Sequence, residues 1–396
     1  MIHNLNINDF LSQYWQKRPL LIRNAFPGYH SPVTAEELAG LSCEDFVESR
    51  LVSEHKSEPL WRIEHGPFAE ERFSKLPESH WTLLIQGLNK LFPELDDLLH
   101  EFNFIPGWRV DDLMASYAVT GGSVGPHIDQ YDVFLLQASG RRKWMINQQP
   151  VTDADLLPGL PLKIIKNFKT ESEWVLEPGD MLYLPPNVAH YGVALDDCMT
   201  FSIGFRAPSH AELISAYVDE TLATLKDELR YQDADLAFNP DSGEITPQAL
   251  LKVRQIIQSH FTNEEKMNDW FGRFITEYLN DEDYFAENNL TSAEFVAMFK
   301  KCKALRRPAT VRANYIKTAP AELKLYINGM PYPLQKGSEN IAQLFCNHHL
   351  LFYDKLKPDL QDPTISHFLT ELYNHGYLEF LENEAFTDEY DHDKGS

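Results

Sequence analysis

Five short runs, LMASYAVT (113–120), DVFLLQA (132–138), RKWMI (142–146), DMLYLP (180–185) and TFSIGF (200–205), dominate the first 208 residues. They are too short for helices, rich in aromatic and branched residues, and set off by Gly, Pro and Asp, as strands are. Residues 1–208 therefore read as an all-β core with helical decoration. The decoration is expected at Thr34–Leu41, where Thr34 caps the first turn and Glu37 follows three residues on. A second helix is expected over Ser79–Phe92 from its apolar spacing.

Beyond Pro208 the period changes from two to that of a helix. AELISAYVDETLATLKDEL (211–229), TPQALLKVRQIIQSHF (246–261) and MNDWFGRFITEYLN (267–280) mark a helical region over 209–304. Its apolar stripes serve either an internal core or a dimer face. From 305 onward the pattern changes again, to RRPATVRANY, then LKLYINGMPYPL with an Asn328-Gly329 hairpin signal, then the helical stretches 341–356 and 365–376. This is a small α+β module over 305–396, ending in the acidic stretch 383–396, which is expected to fray. The chain is thus an α+β multidomain protein.

The balance of 35 basic against 59 acidic residues leaves a net charge of −24. A field of that sign disfavours direct nucleic-acid binding and favours a basic protein partner. No run of about 18 apolar residues exists to span a membrane, and no signal-peptide core interrupts the polar N-terminus, so a cytoplasmic protein is expected. Four scattered cysteines, at 43, 198, 302 and 346, make neither a disulfide framework nor a CxxC zinc site.

The chemistry concentrates in GGSVGPHID (121–129). On a strand, His127 and Asp129 point to the same side and can grip one ion. The third ligand is expected from EPGDMLYLPPNVAH (177–190), where a turn feeds a strand and a Pro-rich corner delivers His190 to the next one. Two imidazoles and a carboxylate suit iron(II) and leave coordination positions open for a substrate and oxygen. Such an iron needs an electron source. A chelating 2-oxo acid supplies it, and its distal carboxylate calls for a buried cation. Arg142, in GRRKW, is the expected anchor, with Arg141 and Lys143 alternating away to solvent. Upstream, Asp112, Met114 and Ser116 share one face of a strand, with Ser116 towards the cosubstrate and Asp112 placed to meet a cationic substrate group. Tyr131 walls the same pocket, and Ser202 is a further candidate for it. The remaining histidines, including His348 and His349, lack partners at metal spacing.

DDLMASYAVTGGSVGPHIDQYDVFLLQASGRRKW, LEPGDMLYLPPNVAHYG and SIGFRAPS together resemble the bacterial JmjC/cupin-fold ribosomal oxygenases. Within them, the chain looks like the arginine hydroxylases of large-subunit ribosomal protein uL16. The resemblance implies a double-stranded β-helix catalytic domain (1–208), a helical dimerisation region (209–304) and a C-terminal winged-helix-like domain (305–396), in a homodimer. It implies that His127, Asp129 and His190 bind iron(II), and that Ser116 and Arg142 bind 2-oxoglutarate. Asp112, Met114 and Tyr131 then match the arginine pocket. The implied reaction couples oxidative decarboxylation of 2-oxoglutarate by O2 to hydroxylation at the arginine β-carbon. Two other readings compete with it: a non-catalytic metal-binding cupin acting as a ribosome-assembly scaffold, and a JmjC lysine demethylase.

Overall fold

The structure is a computed structural model describing residues 2–55, 61–158, 163–277, 289–319 and 322–381. Met1–Ala207 and Pro208–Ser396 form two compact units.

The first unit runs α1 (Ile7–Gln13), β1 (Leu20–Ile22), α2 (Ala35–Leu41), β2 (Ser49–Glu54), β3 (Trp61–His65), β4 (Trp81–Ile85), α3 (Pro93–His100) and β5 (Val110–Ala118). It continues β6 (Asp132–Ser139), β7 (Arg142–Asn147), β8 (Ser172–Leu176), β9 (Met181–Leu184), β10 (Ala189–Ala194) and β11 (Cys198–Phe205). An eight-stranded sheet, in the order β1-β9-β6-β11-β5-β4-β2-β3, faces a three-stranded sheet, β10-β7-β8. This is a double-stranded β-helix.

The period-two side-chain pattern gives the large sheet two buried faces. Phe134, Leu136, Tyr183, Phe201 and Ile203 point outward onto a core shared with Phe10 of α1, Leu38 of α2 and Leu95 of α3. Val133, Leu135, Leu182 and Leu184 point inward and meet Trp144, Ile146 and Leu176 of the small sheet. With both faces covered, β6 is buried at every position but its last. Each large apolar side chain so buried contributes roughly 1.5–3 kcal/mol.

All five expected strands form. So does the cap of α2, where the Thr34 hydroxyl accepts from the Glu37 amide at 3.2 Å and the Glu37 carboxylate accepts from the Thr34 amide at 2.7 Å. The helix expected over Ser79–Phe92 does not form. Trp81–Ile85 is β4, hydrogen-bonded between β2 and β5. A strand buried on both faces carries consecutive apolar residues, and its run matches helical spacing just as well. Gly87, at φ +68°, turns the chain, and the helix starts only at Pro93.

In the second unit, the helical segments become α4 (His210–Leu222), α5 (Pro247–Ser259) and α6 (Glu264–Thr276). Then come α7 (Ser292–Cys302), β12 (Ala304–Arg306), β13 (Ala313–Ala319), β14 (Glu322–Ile327), β15 (Met330–Tyr332), α8 (Glu339–Asn347), β16 (Leu350–Phe352), α9 (Tyr353–Leu356), α10 (Pro363–Asn374) and β17 (Glu379–Phe380). Asn328 and Gly329, at φ +46° and +82°, make the tight turn between β14 and β15 that their sequence signals. The helix expected over 341–356 stops at Asn347, and β16 pairs with β12 and buries Leu351 against Phe299 and Phe345 in the core of this unit. The acidic stretch 383–396 lies outside the described residues.

Candidate active site

His127 and Asp129 do not lie in a regular strand. Gly125 sits at φ +82° and Pro126 has no amide proton, so the chain cannot enter a continuous ladder there. Instead His127 forms one isolated bridge with His190, the first amide donating at 3.0 Å and the reverse bond measuring 2.9 Å. Asp129 follows in extended irregular backbone, its carbonyl accepting from the Asn187 amide at 2.8 Å. The Pro-rich corner after β9 thus holds the Asp129 segment, while β10 carries His190.

This arrangement brings the three side chains together, their ligand atoms all lying within 4.8 Å of one another. Asp129 Oδ2 is 3.6 Å from His190 Nε2 and 4.0 Å from His127 Nε2. Each imidazole is oriented from behind. His127 Nδ1 faces the Gly125 carbonyl at 2.8 Å, and His190 Nδ1 faces the Val188 carbonyl at 2.9 Å. A carbonyl only accepts, so each Nδ1 carries the proton and each Nε2 lone pair is free for a metal. Burial, and then the neighbouring His127 ring, lower His190 to a pKa of about 4, so it is neutral at pH 7 as a ligand must be.

Arg142 opens β7 and points between the sheets, 4% exposed. Its Nη1 donates to Ser116 Oγ at 3.0 Å and to Thr200 Oγ1 at 3.4 Å. Among the described residues its Nε and Nη2 are buried with no oxygen or nitrogen partner, the Cys198 thiol beside the guanidinium being only a weak acceptor, and burial pushes its pKa down. A buried guanidinium with two idle donors fits a carboxylate brought from outside, since both groups are otherwise left unpaired at high cost. Its neighbours behave as their alternation requires, Arg141 pairing with Asp196 at the surface and Lys143 facing Glu173 at 3.6 Å. Thr200 was missed by sequence reasoning, although it shares the inward face of β11 with Ser202. Its hydroxyl donates to Gln137 Oε1 at 3.0 Å, which leaves its lone pairs for Arg142.

The same inward face continues towards Asp112. Register places Thr200 opposite Ser116 and Ser202 opposite Met114 on β5. Asp112 Oδ2 accepts from Gln86 Nε2 at 2.7 Å and from the Gly87 amide at 3.0 Å. Burial raises the Asp112 pKa, with Asp111 adding to the shift. A Cβ on Gly204 would lie 3.9 Å from both Asp112 Oδ1 and Tyr131 Cε2 and 4.0 Å from Asp111 Cβ, so these side chains stand together over that glycine. Tyr131 is 42% exposed, at the pocket's mouth. Gln86 and Gly204 carried no signal in sequence, because each acts only through the strand beside it.

A double-stranded β-helix with this triad beside a buried arginine defines an oxygenase of the JmjC class. Residues 97–213 match the family described as the JmjC domain, and residues 255–379 match the ROXA-like winged helix. The ribosomal protein uL16 3-hydroxylase of Escherichia coli (strain K12) is 34% identical over 379 residues, 95% of this chain and 98% of that protein. An X-ray structure of E. coli YcfD superposes with a TM-score of 0.84 at 33% identity, over 96% of this chain and 99% of that one. A structure of YcfD as a ribosomal oxygenase in complex with cobalt and 2-oxoglutarate gives a TM-score of 0.81, with the same identity and coverage. The chain belongs to the ribosomal oxygenase family.

Proposed function

We propose that this chain is an iron(II)- and 2-oxoglutarate-dependent oxygenase that hydroxylates an arginine side chain, at its β-carbon, in large-subunit ribosomal protein uL16. The observation that carries this reading is Arg142. A protein that only scaffolds gains nothing from a buried guanidinium whose Nε and Nη2 have no oxygen or nitrogen partner among the described residues, whereas an oxygenase uses it to hold the distal carboxylate of 2-oxoglutarate. In this assignment His127, Asp129 and His190 hold the metal, and Ser116, Thr200 and Arg142 hold the cosubstrate. Iron(II) bound there supplies oxygen activation coupled to decarboxylation of 2-oxoglutarate to succinate and carbon dioxide. The protein's own work is positioning. The Gly125 and Val188 carbonyls aim the two imidazoles, and the interleaved Val133, Leu135, Leu182 and Leu184 keep the interior dry. Asp112 and Tyr131 receive the guanidinium of the substrate arginine, with Met114 and Ser202 beside them. A net charge of −24 suits a basic ribosomal protein as partner.

The chain is read as three parts, with 1–208 catalytic, 209–304 dimerising and 305–396 winged-helix-like, in a cytoplasmic homodimer. Supporting the dimer, α5 buries none of its residues, and Leu250, Leu251, Val253, Ile256 and Ile257 on it are 44–56% exposed. Among the described residues no helix is long and apolar enough to cross a membrane.

The test is mass spectrometry of recombinant uL16 after incubation with this protein, iron(II), 2-oxoglutarate and oxygen, with His127→Ala in parallel. One added oxygen on an arginine, absent with the variant, supports the reading. Succinate formed without modified uL16 discards the substrate, and formaldehyde release in place of a stable hydroxyl points to a demethylase.

A further inference from the structure

Asp112 is not free to turn. Its Oδ2 accepts two hydrogen bonds, from Gln86 Nε2 at 2.7 Å and from the Gly87 amide at 3.0 Å, and so has no lone pair left to offer. Gln86 is itself fixed from behind, since Arg50 Nη2 donates to its Oε1 at 3.3 Å and lies 4.0 Å from Met114 Sδ. An arginine donates and never accepts, so this contact settles which end of the Gln86 amide faces Asp112. The chain of donors runs Arg50 to Gln86 to Asp112, and it ends on a single available oxygen, Oδ1.

Oδ1 lies over Gly204, 3.9 Å from where a Cβ would stand. Gly204 has no need of a glycine's backbone freedom, and a Cβ there would find only ordinary contacts, at 3.9 Å or more. The β5–β11 register shifts at this position, between Ile203 and Phe205, and the missing side chain also leaves Asp112 Oδ1 and the Tyr131 ring uncovered from below. The Tyr131 ring stands at the same distance as Oδ1.

We propose that Gln86 and Gly204 determine how the enzyme reads its substrate side chain: Gln86 as a positioning residue that leaves Asp112 only Oδ1, and Gly204 as the floor of a flat slot between Oδ1 and Tyr131. The inference rests on the arginine-hydroxylase reading above and deepens it. With Oδ2 occupied, the symmetric two-oxygen fork that ordinarily selects guanidinium is not available. Selection then comes from shape, because a planar guanidinium fills a slot between a ring and a carboxylate oxygen, and a hydrated ammonium does not.

The experiment uses the full-length protein with iron(II), recombinant uL16 as probe, and separate titrations of uL16 and 2-oxoglutarate. Gln86→Leu removes one of the two donors on Oδ2 and leaves the Gly87 amide alone to hold it, so Asp112 loses its fixed angle and KM for uL16 rises roughly tenfold or more, as for a lost hydrogen bond to a charged group. Its kcat at saturating uL16 and its KM for 2-oxoglutarate stay at wild-type values. Gln86→Glu, nearly isosteric and still able to accept from Arg50, shows the same split and serves if the leucine variant does not fold. Gly204→Val fills the slot from the opposite side, in a backbone that accepts a Cβ, and raises KM for uL16 again without changing that for 2-oxoglutarate. Unchanged KM for uL16 in folded variants overturns the proposal, as does a parallel loss for both substrates, which marks a structural role. A wild-type enzyme that is inert on uL16 while consuming 2-oxoglutarate brings down the underlying reading, and the proposal with it.

Discussion

Replacing Arg142 by methionine should separate stability from function, leaving the first nearly unchanged while removing the second. The side chain is 4% exposed, donates to oxygen only from Nη1 among the described residues, and keeps Nε and Nη2 buried with only the weakly accepting Cys198 thiol nearby. Exchanging a buried, incompletely paired charge for an apolar side chain of similar length gains about 1–4 kcal/mol. Against this stand the bonds lost to Ser116 and Thr200. Thr200 keeps its bond to Gln137 and loses little, whereas Ser116 Oγ loses a charged donor at a cost of about 1.5–3 kcal/mol. Taking the middle of each range, a gain of about 2.5 kcal/mol stands against a loss of about 2.25 kcal/mol, so the two nearly cancel and Tm moves by about 1 °C or less for a unit of this size. The same change removes two charge-assisted bonds to the cosubstrate carboxylate, about 3–6 kcal/mol together, which weakens 2-oxoglutarate binding by roughly 10²–10⁴-fold. Scanning calorimetry of both proteins, with a divalent metal and with or without 2-oxoglutarate, reads both effects. Wild type gains about 2.7 kcal/mol at a hundredfold excess over Kd, and Arg142→Met does not respond. A variant that melts far below wild type and is still raised by 2-oxoglutarate refutes the assignment of Arg142.

Four further outcomes are expected. His127→Ala and Asp129→Ala each remove one of three ligands, so calorimetric titration with cobalt(II) shows binding lost or weakened by orders of magnitude and uL16 stays unmodified; near-wild-type metal affinity in either would place the metal elsewhere. Gly140 sits at φ +59°, with its Cβ position 2.2 Å from the Asp197 carbonyl oxygen, so Gly140→Ala costs about 2–5 kcal/mol from backbone strain plus overpacking, read as a lower urea midpoint. Burial, then Asp111, raises the Asp112 pKa, so its folded value lies above its unfolded one. Asp112 therefore adds stability that is full below the unfolded carboxylate value and lost as pH rises through the folded one, while KM for a cationic substrate falls over the same interval as the carboxylate ionises; Asp112→Asn abolishes that pH dependence of KM. Finally, Leu250→Asp together with Ile257→Asp on α5, seven residues apart and so on one face, yields monomers by light scattering if that exposed face is the dimer contact, and an unchanged mass removes it from the interface.

Local chemistry was legible wherever a residue and its close neighbours carry the whole signal. The short apolar run in DVFLLQA, the Thr34 and Glu37 cap and the Asn328-Gly329 turn all act within a few residues, and each forms as its pattern requires. Legibility failed where two structures share one local pattern. Trp81–Ile85 suits a helix or a doubly buried strand, and only the pairing of β4 between β2 and β5 chooses the strand. Leu350–Phe352 likewise leaves its expected helix because β12 offers an edge.

By itself the sequence determined the inventory of the site: an HxD and a distant histidine for the metal, an arginine for an anion, and an acid for a cation. Tertiary structure decided what each of them touches. Arg142 meets Ser116 and Thr200, 26 and 58 residues away in the chain, and Asp112 is locked by Gln86 across 26 residues. Such contacts follow from strand register, which is set by the packing of two sheets as a whole. A ligand type can be written in three residues, but the donor that orients it stands on another strand, and only the folded barrel brings that strand alongside.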